Sequence, residues 1–289
     1  MKTYKSIKQL GESPLVTMGP VRLRQPIPSN EMQHIDPFLL LHHYGPYAIS
    51  EFNNPFDLGP HPHRGFEPIT LLFQGEQLHR DSLGNESVVR AGDAQWTTAG
   101  RGIIHAEGPT KAFVKKGGAL EGIQLWLNLP AKDKMMTPNY QHIKGSQMPV
   151  VQDESGNIHL KVVAGSFKGE KGLITTQTAV NVFMIETTGI GTMDVPLPIS
   201  HESCVYLLDG EVIINNQEIV SKGASQLAVF NTDGEIIKFE ATKSSKLLVL
   251  SGEPIKEKIA QYGPYVMNTQ TELLEAMRDY QQGKMGYLY

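Results

Sequence analysis

Punctuation constrains the fold of this chain more than any other feature. Apolar runs of strand length follow one another, and turn-forming residues separate them: ITLLF (69–73), QLWLNL (124–129), HLKVVAG (159–165), NVFMIE (181–186), CVYLL (204–208), EVIIN (211–215) and KLLVLSG (246–252). Branched and aromatic residues, which fit a pleated half-buried surface, fill these runs. With 28 Gly and 18 Pro among 289 residues, little of the chain is left for long helices. Many short strands joined by turns predict an all-β chain built from sandwiches or barrels. A helical period appears only near the end, where TELLEAMRDYQQG (271–283) has a threonine cap, apolar positions at 273, 274 and 277, and a closing glycine.

The length suits two domains better than one, and an internal repeat supports that division. Glu67 is followed by PITLLFQ and then Gly75-Glu76; 135 residues later Glu202 is followed by SCVYLLD and then Gly210-Glu211. Gly92 and Gly223 sit at comparable places downstream. Duplication predicts an N-terminal domain over residues 1–135 and a C-terminal domain over 136–289, divided where NLPAKDKMMTP loses strand pattern.

Composition excludes several function classes. A hydrophobic fraction of 40% and a charged fraction of 19% describe a folded globule. A net charge of −4 argues against direct nucleic-acid binding. Residues 1–30 carry no signal-peptide core and no window approaches the ~20 apolar residues of a membrane span, so no membrane partner is expected. The single cysteine, Cys204, cannot form an internal disulfide and suits a reducing compartment; a cytoplasmic location is expected.

Chemistry concentrates in two strings, HPHRGFE (61–67) and GRGIIHAE (100–107). Successive strand side chains point to opposite faces, so a spacing of two puts His61 and His63 on one face, and likewise His105 and Glu107. Two such strands side by side aim three imidazoles and a carboxylate at one point. That donor set suits a divalent transition ion with positions left open for chemistry, whereas a closed structural zinc site would need more cysteine. Glu67 shares the parity of His61 and His63, which makes it a fifth contact or a partner supporting the ligands, the latter being preferred. Arg64 could pair with Glu67 or with an anionic ligand. His79, His142, His159 and His201 have no partner at ligand spacing and are read as surface or hydrogen-bonded residues. Trp96 and Phe66 flank the strings and are read as core, although a planar ligand would need such an aromatic wall.

The first string follows the cupin pattern through Gly59, His61, His63, Glu67 and Gly75. The stretch GDAQWTTAGRGIIHAEGP (92–109), together with DPFLLLHHYGP (36–46), QLWLNLP (124–130) and GEPIKEKIAQYGPYVMNTQTEL (252–273), resembles the pirin family over most of the chain. The resemblance implies a bicupin. Two cupin-type β-barrel (double-stranded β-helix) domains would pack face to face, with a short C-terminal helix that leaves the second domain and covers the first. It implies one metal per chain, held by His61, His63, His105 and Glu107, with Fe(II) foremost and Mn, Ni, Cu, Zn or Co as other candidates. At the place matching HPHRGFE the second half reads PLPISHE and keeps only His201 and Glu202. The activity implied is that of a quercetin 2,3-dioxygenase, which opens a flavonol or related planar phenol with O2. Glu107 or Glu67 would act as proton acceptor. The other role implied is an iron-dependent redox-sensing protein that acts on a protein partner as a transcriptional or metabolic coregulator.

Overall fold

The computed structural model describes residues 3–216, 218–221, 223 and 226–288. Every one of the seven apolar runs falls on a strand, overrunning it by at most one residue, for example ITLLF within Phe66–Gln74 and NVFMIE within Val180–Thr187. The chain divides into two compact units that are interleaved along the sequence. Leu15–Gln25, Phe38–Gln147 and Ile255–Tyr289 form a histidine-bearing unit; Met1–Pro14, Pro26–Pro37 and Met148–Pro254 form a companion unit.

Each unit holds a seven-stranded and a four-stranded sheet. In the histidine unit the larger sheet runs Asn139–Ile143, Ala94–Thr98, Phe66–Gln74, Gly118–Asn128, Phe38–Ile49, Val21–Ile27, Leu15–Met18. The smaller runs Leu58–His63, Ile103–Pro109, Glu76–Asp81, Glu86–Arg90. In the companion unit the larger sheet runs Ile7–Gly11, Leu227–Phe230, Glu202–Asp209, Ser245–Gly252, Val180–Thr187, Ile158–Ala164, Val150–Gln152. The smaller runs Gly191–Pro196, Ile236–Ala241, Glu211–Ile214, Glu218–Ser221. Apart from the outermost strands Asn139–Ile143 and Ile7–Gly11, the two units use their strands in the same chain order. The repeat seen in sequence is therefore a repeat of topology. Its turns agree in conformation as well: Gly75 and Gly210 both have φ of 88°, and Gly92 and Gly223 both have φ of 86°, a region costly for any residue with a Cβ.

The companion unit is packed through its middle. Phe183, Val205 and Val249 of the larger sheet and Val195, Ile237 and Phe239 of the smaller belong to one cluster, and each such side chain contributes roughly 1.5–3 kcal/mol on burial. The histidine unit has a smaller cluster, in which Leu23, Tyr44, Leu72 and Leu120 meet Val89. Polar side chains occupy the space beside it.

Helix is more extensive than the sequence period suggests. A six-residue helix α1, Lys111–Lys116, follows the strand Ile103–Pro109; Thr110 caps it by accepting from Phe113 N, and Gly117 ends it. It is too short to show a period. The terminal helix α2, Gln270–Gln281, starts on Thr269 rather than Thr271, because Glu272 closes a capping box with Thr269. Leu273 and Ala276 are its buried residues, and they pack with Ile104, Tyr265, Met267 and Met285 of the same unit. Leu274, apolar in the sequence pattern, is exposed. Among the described residues no helix is long and apolar enough to cross a membrane.

Candidate metal centre

The smaller sheet of the histidine unit builds the site. His61 and His63 end the strand Leu58–His63, and the register sets His105 directly opposite His61. On its other side the strand Ile103–Pro109 pairs with Glu76–Asp81, where Glu107 faces His79 and His105 faces Asp81. The three rings of His61, His63 and His105 have centroids 4.4–4.9 Å apart.

Their nitrogens are set for coordination. His61 Nδ1 lies 2.8 Å from Gly59 O, so its N–H donates there and leaves the Nε2 lone pair facing inward. His61 Nε2 and His105 Nε2 stand 3.0 Å apart, and two nitrogens each about 2.1 Å from one ion at a right angle are separated by about 3 Å. Burial, reinforced by the neighbouring imidazoles, pushes His63 and His105 well below the usual histidine range. They stay neutral, the form that binds metal. Buried His105 Nδ1 finds no hydrogen-bond partner among the described residues. Neutral imidazoles crowded nitrogen to nitrogen, with a polar atom left unpaired, fit a divalent transition ion and fit poorly as a purely structural cluster.

Glu107 stands one step from this cluster. The donor atoms of His61, His63 and His105 lie within 4.8 Å of one another, and so do those of His79, His105 and Glu107. The two sets share His105. Glu107 Oε1 accepts from Gln95 Nε2 and, at 3.2 Å, from Thr70 Oγ1, which fixes the carboxylate from the larger sheet.

Glu67 lies elsewhere. It is fully buried, and its Oε1 accepts from Thr98 Oγ1 at 2.6 Å. Thr70, three positions along the same strand, reaches Glu107, so Glu67 points to the opposite face. The parity counted from His63 does not carry across Arg64 and Gly65, because Gly65 has φ of 85° and interrupts the strand. A Cβ at Gly65 would strike the Val266 carbonyl. Lys134 Nζ, buried, donates to Gly65 O at 2.7 Å and to Asn128 Oδ1 at 2.7 Å, which secures the turn. Burial pushes the Glu67 carboxyl up to about 7. Arg64 pairs with Asp279 of α2 at 3.0 Å and donates to Arg101 O, so it is not the partner of Glu67.

Two contributors escape sequence reasoning. His79 is fully buried, lies 3.1 Å from Asp81 through Nε2 and stacks on Tyr140 at 4.2 Å. The alternation Gln77, His79, Asp81 on one strand was a readable signal. Trp126, rather than Trp96, supplies the aromatic wall: its ring lies 5.6 Å from His63 and 4.3 Å from Phe66, whereas Trp96 is opposite Ile69 on the face shared with Glu67. A cavity of about 230 Å³ opens over the site, and Leu23, Tyr44, Phe56, Trp126, His61, His63 and Glu107 are among its lining residues.

Among the described residues the companion unit has no counterpart of this polar interior. Across the equivalent strands Gly191–Pro196 and Ile236–Ala241 the facing pairs are Val195 with Ile237 and Met193 with Phe239, all buried. His201 is engaged with Ser251 Oγ at 3.2 Å.

Two family models match the sequence, Pirin over residues 20–127 and the Pirin C-terminal cupin domain over 182–286. The chain belongs to the pirin family. A Pseudomonas aeruginosa protein provisionally named quercetin 2,3-dioxygenase is 38% identical to this pirin over 254 residues, 87% of each chain. A pirin-like protein of Solanum lycopersicum is 34% identical over 266 residues, 92% of this chain and 87% of its own. The crystal structure of a quercetin 2,3-dioxygenase from Acinetobacter baumannii matches with a TM-score of 0.91 at 33% identity, covering 99% of this chain and 100% of that one. The fold is thus that of a bicupin.

Proposed function

We propose that this pirin is a metal-dependent dioxygenase that cleaves a flavonol or related planar enol with O2, as the name of the Acinetobacter relative suggests. One observation carries the reading: His61 and His63 line an apolar cavity walled by Trp126, Tyr44 and Phe56. A planar phenol needs such walls, and its acidic hydroxyl needs a cation. His61, His63, His105 and Glu107 would hold that ion, Fe(II) foremost among Mn, Ni, Cu, Zn and Co. When bound, the metal supplies a Lewis acid that favours the enolate and a site at which dioxygen and the electron-rich ring meet.

The remaining steps belong to this chain. Trp126 and Phe56 orient the ring, and the apolar lining excludes water from it. Glu107, held through Oε1 by Gln95 and Thr70, keeps Oε2 for the ion or for the proton of the substrate hydroxyl. Glu67 is bound to Thr98 on the opposite face and supports the strand rather than the proton transfer. One cysteine and no membrane-spanning helix among the described residues accord with a cytoplasmic enzyme.

A second reading, a redox-sensing interaction protein, draws on the Arg64–Asp279 ion pair, which ties the residue after His63 to helix α2 and its exposed Leu274. Metal analysis of protein purified without added metal, followed by oxygen consumption with quercetin, tests the choice. Bound metal with stoichiometric oxygen uptake supports the enzyme; bound metal with no uptake sinks it.

A further inference from the structure

Beyond the candidate metal ligands, the polar residues His42 and Gln124 of the cavity lining belong to one line. His42 and Gln124 are cross-strand partners on the larger sheet, Gln124 is opposite Thr70 on the next strand, and Thr70 is opposite Gln95 on the one after. Direct partners share a face. This polar row therefore crosses four strands and ends at Glu107, reached by Thr70 and Gln95. Beyond His42 it continues to Gln25, whose Oε1 lies 2.7 Å from His42 Nε2.

The row has one break. The one proton of the Thr70 hydroxyl is shared between Glu107 Oε1 and Gln124 Oε1, each at 3.2 Å, which orients the Gln124 amide and leaves its NH2 pointing away from Thr70. His42, donating through Nε2 to Gln25, keeps Nδ1 as an acceptor. Burial pushes His42 down to about 4, so it remains neutral. Among the described residues neither the Gln124 amide nitrogen nor His42 Nδ1 has a hydrogen-bond partner, and both residues line the cavity. A donor and an acceptor stand side by side in an apolar wall.

We infer that His42 and Gln124 together read a second hydroxyl on the ligand, which donates to His42 Nδ1 and accepts from the Gln124 amide. A hydroxyl satisfies both at once; a hydrogen at the same place leaves two polar groups desolvated and unpaired, the situation that gives strong discrimination. The ligand class is then an aromatic enol with at least one further ring hydroxyl. The inference rests on reading this cavity as the substrate cavity.

Binding, rather than turnover, tests it. The probes are 3-hydroxyflavone, whose only hydroxyl adjoins its carbonyl, and its 7-hydroxy and 4′-hydroxy derivatives, each titrated calorimetrically into metal-loaded protein without oxygen. Wild type should bind one derivative about tenfold more tightly than the parent. His42→Phe and Gln124→Leu should each bring that derivative down to the parent's affinity at unchanged metal content, and His42→Gln, which keeps an acceptor, should restore most of the preference. A preference that persists in both apolar variants, or no preference in wild type, overturns the pair while the cavity reading stands. Failure of every flavonol to bind wild type overturns both.

Discussion

Glu67→Gln separates a structural carboxyl from a catalytic one. The wild-type side chain is fully buried, accepts from Thr98, and is pushed by burial from 4.5 up to about 7. A folded-state value above the unfolded one means the native state holds the extra proton, so its stability is greatest below about 4.5 and is lost as pH rises through about 7. By this linkage burying the carboxyl costs the native state roughly 3 kcal/mol at pH 8, where it is ionised, against roughly 1 kcal/mol at pH 5.5, where it keeps its proton. Glutamine can still accept from Thr98 and does not ionise, so it escapes the penalty. The stability of the variant relative to wild type should therefore grow by about 2 kcal/mol between pH 5.5 and pH 8. Paired urea denaturation curves at the two pH values read this difference, and pH effects on the histidine cluster cancel because both proteins carry it. A variant no better at pH 8 than at pH 5.5 would show that the carboxylate is ionised and satisfied in the fold, and the reasoning would be refuted.

His61→Ala and His105→Ala should each abolish tight metal binding in elemental analysis while leaving the far-ultraviolet circular dichroism unchanged, since apolar burial holds the sheets; unfolding of either variant would mark the ion as structural. Glu107→Gln should lower metal affinity or turnover more than Glu67→Gln does, and the reverse order, read by competition with a chelating dye, would mean the wrong carboxylate has been chosen. Stoichiometry should be one ion per chain, with His201→Ala without effect, because the companion unit fills the equivalent strands with Met193, Val195, Ile237 and Phe239; two ions, one lost with His201, would contradict this.

Much of the fold was legible because strand burial leaves a local trace: each of the seven apolar runs became a strand, and the Gly75 and Gly210 turns match in φ. The histidine strings were legible for the same reason, as His61 and His63 need only alternation within one strand. What alternation could not cross was Gly65. One residue at positive φ resets the count of faces, so Glu67 was placed on the wrong side of its sheet. His79 and Trp126 were missed because their relation to the site is a matter of strand pairing, Glu107 with His79 and Trp126 with Pro68, and one sequence carries no record of register. The start of α2 slipped by two residues because a capping box, not the apolar period, sets it, whereas the closing Gly283 follows the helix at φ of 72° as expected.

The interleaving of the two units bears on how the protein is made. Residues 38–147 supply all the candidate ligands, yet Ile104 beside them packs on Leu273, Ala276 and Met285, which emerge from the ribosome only after Met148–Pro254 of the companion unit. At about 5–20 residues per second the strand bearing His105 would wait roughly 10 to 35 seconds for its cover. A ribosome stalled before residue 255 would display the strand Ile103–Pro109 without the helix that packs on its Ile104.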